Sequence, residues 1–232
     1  MRIKAIFVQM LKHFISNKNN YFKGFLLSLL IVACCTSCFK NLTKLTVVYQ
    51  NDFENYDLKQ IQVSGWLNGS FGPLTGINIM DYNGNKVLGR LNSSLIDLTL
   101  TELPTHTALT VEFDLYIHDN WRNDLWKTTF EGVDQILTGF SNDQNVQQAY
   151  PNWLGGGGQT FAPGTNAFTT NLPGACALIN SQHGTSMYKM IRTVVHSDKT
   201  FQLQCSDAGQ YFNDLCQRSW SMDNLKITLI NN

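Results

Sequence analysis

Between Leu109 and His118, apolar and polar side chains alternate without a break. Leu109, Val111, Phe113, Leu115 and Ile117 fall on one side, and Glu112, Asp114, Tyr116 and His118 on the other. A period of two places successive side chains on opposite faces of a strand. Shorter alternations recur over Leu95–Thr101 and over Leu225–Ile230, where Leu225, Ile227 and Leu229 alternate with Lys226 and Thr228. Further strands are predicted over Leu45–Tyr49, and over Thr75–Met80 and Lys86–Leu91 on either side of an Asn83-Gly84 turn. Trp126–Phe130 and Gln135–Phe140 read as a hairpin around Glu131-Gly132. Met187–His196 and Thr200–Cys205 read as another around Ser197-Asp198. Helical periodicity is nearly absent. Many short strands with turn signals between them predict an all-β fold, a two-sheet antiparallel β-sandwich of the jelly-roll kind.

Two stretches stand apart from this rhythm. Arg218–Thr228 (RSWSMDNLKIT) is expected to open the last strand, with Trp220 as a buried anchor and Asp223-Asn224 as the joint to the first strand. Residues 141–185 are polar, glycine-rich and poorly periodic, and a loop of that length is either functional or mobile. The run Gly155–Gly158 within it lacks a following Lys-Ser/Thr and a strand-to-helix setting, so it is not a phosphate loop.

Composition changes the picture mainly at the N-terminus. The formal charge is zero, yet residues 1–33 hold five cations (Arg2, Lys4, Lys12, Lys18, Lys23) and no acid. Beyond them 17 acids outnumber 12 cations, a net of −5, which argues against a nucleic-acid partner. The basic segment leads into Phe25–Ala33 (FLLSLLIVA), too short to span a bilayer, and then into Ile31-Val32-Ala33-Cys34. That order predicts a lipoprotein signal over 1–33, acylation at Cys34, a lipidated tether over 34–48 and a sandwich domain over 49–232. Stable anchoring needs more than one acyl chain, which a modified N-terminal cysteine supplies. The expected location is the cell envelope, outside the cytoplasm, on the outer membrane or cell surface. Three cysteines remain in the body. Cys205 and Cys216 bracket one connection and could staple it; Cys176 could pair with either; all three could stay reduced. No Cys-x-x-Cys spacing points to zinc.

Several pieces then fall in order: FEN at Phe53–Asn55, LTVEFDLYIHDNWRNDLWK at Leu109–Lys127, LTGFSN at Leu137–Asn142, QAYP at Gln148–Pro151, MYKMIRTVVHSDKTFQLQC at Met187–Cys205 and RSWSMDNLKI at Arg218–Ile227. This order resembles secreted bacterial jelly-roll domains of the concanavalin A-like or LamG-like type, which close on ESWGLDNV or a close variant. Arg218 stands where an acid is common in that motif, and Met222 where a leucine is. The resemblance implies the fold and an extracellular setting beside adhesion or carbohydrate-related modules; it implies no particular activity.

Three constellations could carry chemistry. Calcium takes six to eight oxygen ligands, and Glu54, Asp223 and Asn224, with Asp52, could pin the first and last strands around such an ion. The polar end of the best strand (Asp119, Asn120, Asn123, Asp124) is interleaved with Trp121 and Trp126. With Tyr150 and Trp153 of the long loop, Asp119, Trp121 and Asp124 form the expected glycan-binding set, while Trp66 is a further aromatic candidate. Glu112 and Asp114 share a strand face as a glycosidase pair would, but Ile117 stands where laminarinase-type enzymes have a third carboxylate. No catalytic residue is therefore assigned. The expected function is a lipid-anchored binding module, carbohydrate-binding or adhesive. A structural or assembly subunit of an envelope complex, docking a partner protein, is the alternative, and a glycoside hydrolase a weaker one.

Overall fold

The computed structural model describes residues 43–67, 70–74, 78–155, 158–207 and 214–231. Cys34 and the rest of the expected signal and tether up to residue 42 lie outside them. Lys44–Asn231 form a compact unit of thirteen strands among the described residues. The strands are β1 (Lys44–Asn51), β2 (Ile61–Leu67), β3 (Ser70–Pro73), β4 (Ile79–Tyr82), β5 (Asn85–Leu91), β6 (Ser94–Leu100), β7 (Ala108–Asp119), β8 (Arg122–Phe130), β9 (Val133–Ser141), β10 (Thr169–Leu172), β11 (Thr185–Val195), β12 (Phe201–Asp207) and β13 (Arg218–Asn231). They build two antiparallel sheets, a β-sandwich of the jelly-roll class. Sheet A runs β10-β11-β7-β13-β5-β4 with β1 also on β13, and sheet B runs β3-β2-β6-β12-β8-β9.

β13 is the middle of sheet A. One edge pairs with β7 from Arg218↔Asp119 to Ile230↔Ala108. The other edge is shared: β5 takes Trp220 and Met222, and β1 takes Leu225 to Asn231. A Cβ on Gly89 of β5 would collide with Ser221, so only glycine allows this approach.

The core lies between the sheets. The inward residues of β7 (Leu109, Val111, Phe113, Leu115, Ile117) meet Ile96, Leu98 and Leu203 of sheet B, all buried. Trp126 sits at its centre, 5.8 Å from both Phe113 and Trp220 and 6.3 Å from Phe140, ring centre to ring centre. Phe140 continues the aromatic run to Tyr188 at 4.7 Å and Tyr150 at 4.8 Å. Tilted and edge-on pairs of this kind add stabilisation beyond area burial.

The structure corrects the sequence reading in several places. β1 begins at Lys44, so the last residues assigned to the tether are strand. β11 and β12 do not form a hairpin. β11 pairs with β7 in sheet A and β12 with β6 and β8 in sheet B, so Ser197-Asp198 carries the chain from one sheet to the other. β2, β3 and β10 were not expected. β2 has two glycine or serine positions that break its apolar pattern, and β3 and β10 are four residues each. Among the described residues of 141–185, Gln148 ties separate turns together: it accepts from the Ser141 and Gly164 N–H groups and donates to the Tyr150 and Thr165 carbonyls.

The disulfide joins Cys176 to Cys216, not Cys205 to Cys216. Cys205 is fully buried in β12 against Thr128, and burial pushes its thiol up to about 12. Its side chain belongs to the core between the sheets. Replacing Cys176 and Cys216 together by serine removes a 40-residue closure and is expected to cost about 4 kcal/mol in urea unfolding. Non-reducing peptide mapping of the native protein should show the 176–216 cross-link, with Cys205 alkylated only in denaturant; a 205–216 peptide would contradict the pairing.

Candidate functional site

The outward side chains of β7, β11 and β13 form rows across sheet A, because β11 pairs with β7 without a break and β13 with only one. Lys226, Glu112 and Ile191 make one row; in the next, Asp114 stands between Asp223 and Lys189. Between Asp223 and Lys226 the register shifts by an extra residue. Asn224 takes up this bulge with φ 54, a left-handed conformation that asparagine tolerates better than most residues. The bulge turns the Asn224 amide toward the face, where Nδ2 donates to Asp114 Oδ2 at 2.9 Å.

The other groups are fixed by charge. Lys189 Nζ is 3.1 Å from Asp114 Oδ1, and Lys226 Nζ is 2.6 Å from Glu112 Oε2. Together with Gln50 and Asp52 these side chains bound a cleft of about 290 Å³ on the outer face of sheet A. Beside Lys189, next to the residues that line the cleft, the Phe168 ring is 66% exposed, with Lys189 Nζ 4.9 Å from its centre. The sequence pointed to Glu112, Asp114, Asp223 and Asn224. It did not single out Lys189 or Phe168: Lys189 comes opposite Asp114 only through the register, and nothing local marks Phe168 as exposed.

Asp223 lies under this cleft, almost wholly buried. Burial raises its carboxyl to about 6, reinforced by the charges of Asp114, Glu54 and Asp52 and opposed by the Asn224 N–H that it accepts at 2.7 Å. Glu54 uses Oε1 to accept the Lys86 N–H at 2.9 Å, and Asp52 accepts the Glu54 N–H. Among the described residues no three or more His, Cys, Asp or Glu side chains are placed to hold a metal ion.

One end of the sandwich holds the expected glycan set, and there the structure disagrees with the sequence reading. Trp121 is buried and its Nε1 donates to the Asp124 carbonyl at 3.0 Å. Tyr150 is buried against Phe140 and Tyr188, and Trp153 is half-buried with the Arg192 guanidinium 5.5 Å from its ring centre. Asp119 is wholly buried; its Oδ1 accepts from Leu178 N at 2.9 Å and Cys176 N at 3.2 Å, and burial raises its carboxyl. These side chains hold loops together and present no stacking face to a ligand. Asp124 reaches a surface, where Arg218 Nη1 lies 2.7 Å from both its oxygens. Arg218 thus fills the place of an acid by pairing with one. It lines a second cleft, of about 620 Å³, with Asn120, Arg122, Asp143, Asp214 and Gln217. That cleft has no aromatic lining. Of the five tryptophans, Trp66 is the most open, at 39% exposure beside Phe71.

His118 is no proton carrier for Glu112 and Asp114. It is wholly buried between Thr185 and Ser221, both at 2.9 Å. Thr185 Oγ1 gives its proton to the Pro173 carbonyl, so His118 Nδ1–H donates to Thr185 and Nε2 accepts from Ser221. Burial lowers its pKa to about 3, so the ring is neutral. His196 bonds His106 through Nδ1 at 2.7 Å, a structural pair.

No family model matches the chain, and no curated protein does. Among solved structures it is similar to a family 35 carbohydrate-binding module from Clostridium thermocellum, at 7% identity over 81% of this chain and 98% of that one, with a TM-score of 0.30. A family 35 module from Paenibacillus barcinonensis gives 11%, 81%, 98% and 0.29. A GH115 4-O-methyl-α-glucuronidase with specificity for decorated arabinogalactans gives 12% identity over 78% of this chain and 17% of that one, with a TM-score of 0.31. At such scores no ligand or activity is carried over.

Asp223 also sets a pH dependence. Its folded value of about 6 exceeds the ordinary 3.8, so the folded state holds the extra proton. Its contribution is favourable below pH 4 and is lost as pH rises through 6. Asp223→Asn keeps the acceptor for the Asn224 N–H. It is expected to be more stable than the parent by on the order of 2 kcal/mol at pH 7.5, and equal to it at pH 4, in urea unfolding at the two pH values. A gain independent of pH would contradict the assignment.

Proposed function

We propose that this chain is a lipid-anchored, extracytoplasmic carbohydrate-binding module whose glycan site is the cleft on the outer face of sheet A. The observation that carries this reading is the meeting of fixed, planar polar groups with an exposed ring. A pyranose presents hydroxyls around its edge and C–H bonds on its face. The hydroxyls need donors and acceptors held in place; Asp114, Asn224, Lys189, Glu112 and Lys226 hold one another in place. The C–H face needs an accessible apolar surface, which Phe168 and the half-exposed Ile191 provide. The second cleft meets only the first of these needs.

Binding fits this site better than hydrolysis. A glycosidase requires one carboxylate free as acid and another as base or nucleophile. Here Glu112 and Asp114 are each engaged by a lysine. The anchoring half of the proposal rests on the sequence at Cys34. The Cys176–Cys216 disulfide is consistent with it, because such bonds persist in oxidising compartments.

Screening the purified protein on immobilised polysaccharides and glycan arrays should give a retained glycan. Phe168→Ala and Lys189→Ala should each weaken its binding about tenfold, a loss near 1.4 kcal/mol, with an unchanged melting temperature. Absence of any bound glycan, or binding indifferent to both substitutions, would overturn the assignment.

A further inference from the structure

We infer that the end of sheet A nearest the anchor rests on the lipid surface through an apolar row, Leu45, Ile230, Ala108 and Val195. The inference depends on acylation at Cys34. The row follows from the register alone: Leu45 pairs with Ile230, Ile230 with Ala108 and Ala108 with Val195, all on the outer face. Four strands therefore contribute one side chain each, at the same height. Val195 is 92% exposed and Leu45 65%, and Val47 above Leu45 is also open. Single exposed apolar residues are ordinary, but a continuous row across four strands is a surface for contact.

The tether identifies what it contacts. Lys44 opens β1 immediately beside Leu45, and nine residues separate it from Cys34. A chain of ten peptide steps reaches at most about 35 Å. The row is thus held close to any bilayer that carries the acyl chains, so a contact too weak for a free protein becomes effective. The loops at this end, 101–107 and 196–200, carry Glu102 and Asp198 against Lys199, with Lys44 adjacent. Their charges balance, so the contact is apolar and insensitive to lipid charge. Asp114 lies six residues along β7 from Ala108, about 20 Å at 3.4 Å per residue, which holds the sheet A cleft clear of the headgroups.

The test uses the full chain, purified from its membrane and reconstituted into vesicles of phosphatidylcholine with and without phosphatidylglycerol. The vesicles contain a lipid bearing a photoactivatable group near its headgroup. Adducts mapped by mass spectrometry should concentrate on the peptides holding Leu45 and Val195, equally in both vesicles, and spare those holding Lys189 and Asp114. Leu45→Asp with Val195→Asp should reduce the adducts at least fivefold without lowering the melting temperature, because both side chains are exposed. Evenly spread adducts, or links between the Val195 peptides of two copies, would overturn the inference while leaving the anchor intact. The intact mass of the Cys34 peptide reports on the anchor separately; without an acyl group both readings fail.

Discussion

Everything in this sandwich depends on β13 being hydrogen-bonded along both edges. A central strand must offer complementary N–H and C=O groups to two sets of neighbours, and it must be apolar on the face it shares with the core. Trp220, Met222, Leu225, Ile227 and Leu229 meet the second requirement and are all buried. The first is met by dividing one edge between β5 and β1. β1 and β13, the first and last strands among the described residues, are thereby locked side by side.

The outer face of the same sheet divides into three zones, and each is explained by what covers it. At the β7 C-terminal end the loop around Pro173 and the Cys176–Cys216 link lie over His118, Thr185 and Ser221. These polar groups are buried there because they satisfy one another. In the middle no element among the described residues covers the lysine–carboxylate rows, and Lys189, Lys226 and Glu112 stay in contact with water. At the far end the row is apolar and open. Polar groups are thus buried where a loop supplies partners, and left solvated where it does not.

Much of the fold was legible in the sequence, because period two is unmistakable in β6, β7 and the C-terminal part of β13, and Glu131-Gly132 marks its turn. Partnership between strands was not. The alternation around Ser197-Asp198 is the same whether β11 and β12 pair with each other or lie in opposite sheets, since each strand is half-buried in either case. The disulfide failed for a related reason: proximity in sequence favoured Cys205 with Cys216, while the fold brings residue 176 across. The site was legible in half. Carboxylates two apart on β7 had to share a face. Whether an aromatic residue was platform or core had no local signature, and Trp121 and Tyr150 belong to the core while Phe168, with nothing to distinguish it, is exposed.

Asp223 shows why the middle zone differs from ordinary solvated sheet. A buried carboxyl among three other acids opposes folding at neutral pH, and the bulge that seats it interrupts an otherwise regular ladder. An apolar residue at 223 and an unbroken register would serve β13 better as a core strand. The two irregularities have one shared consequence: they place the Asn224 amide against Asp114 and deepen the cleft beside it. Sequences that are consistent at every other level tend to keep such local conflicts where function needs them. By that criterion the cleft is one place where this sandwich departs from the requirements of stability, and the buried Asp119 at the loop end is another.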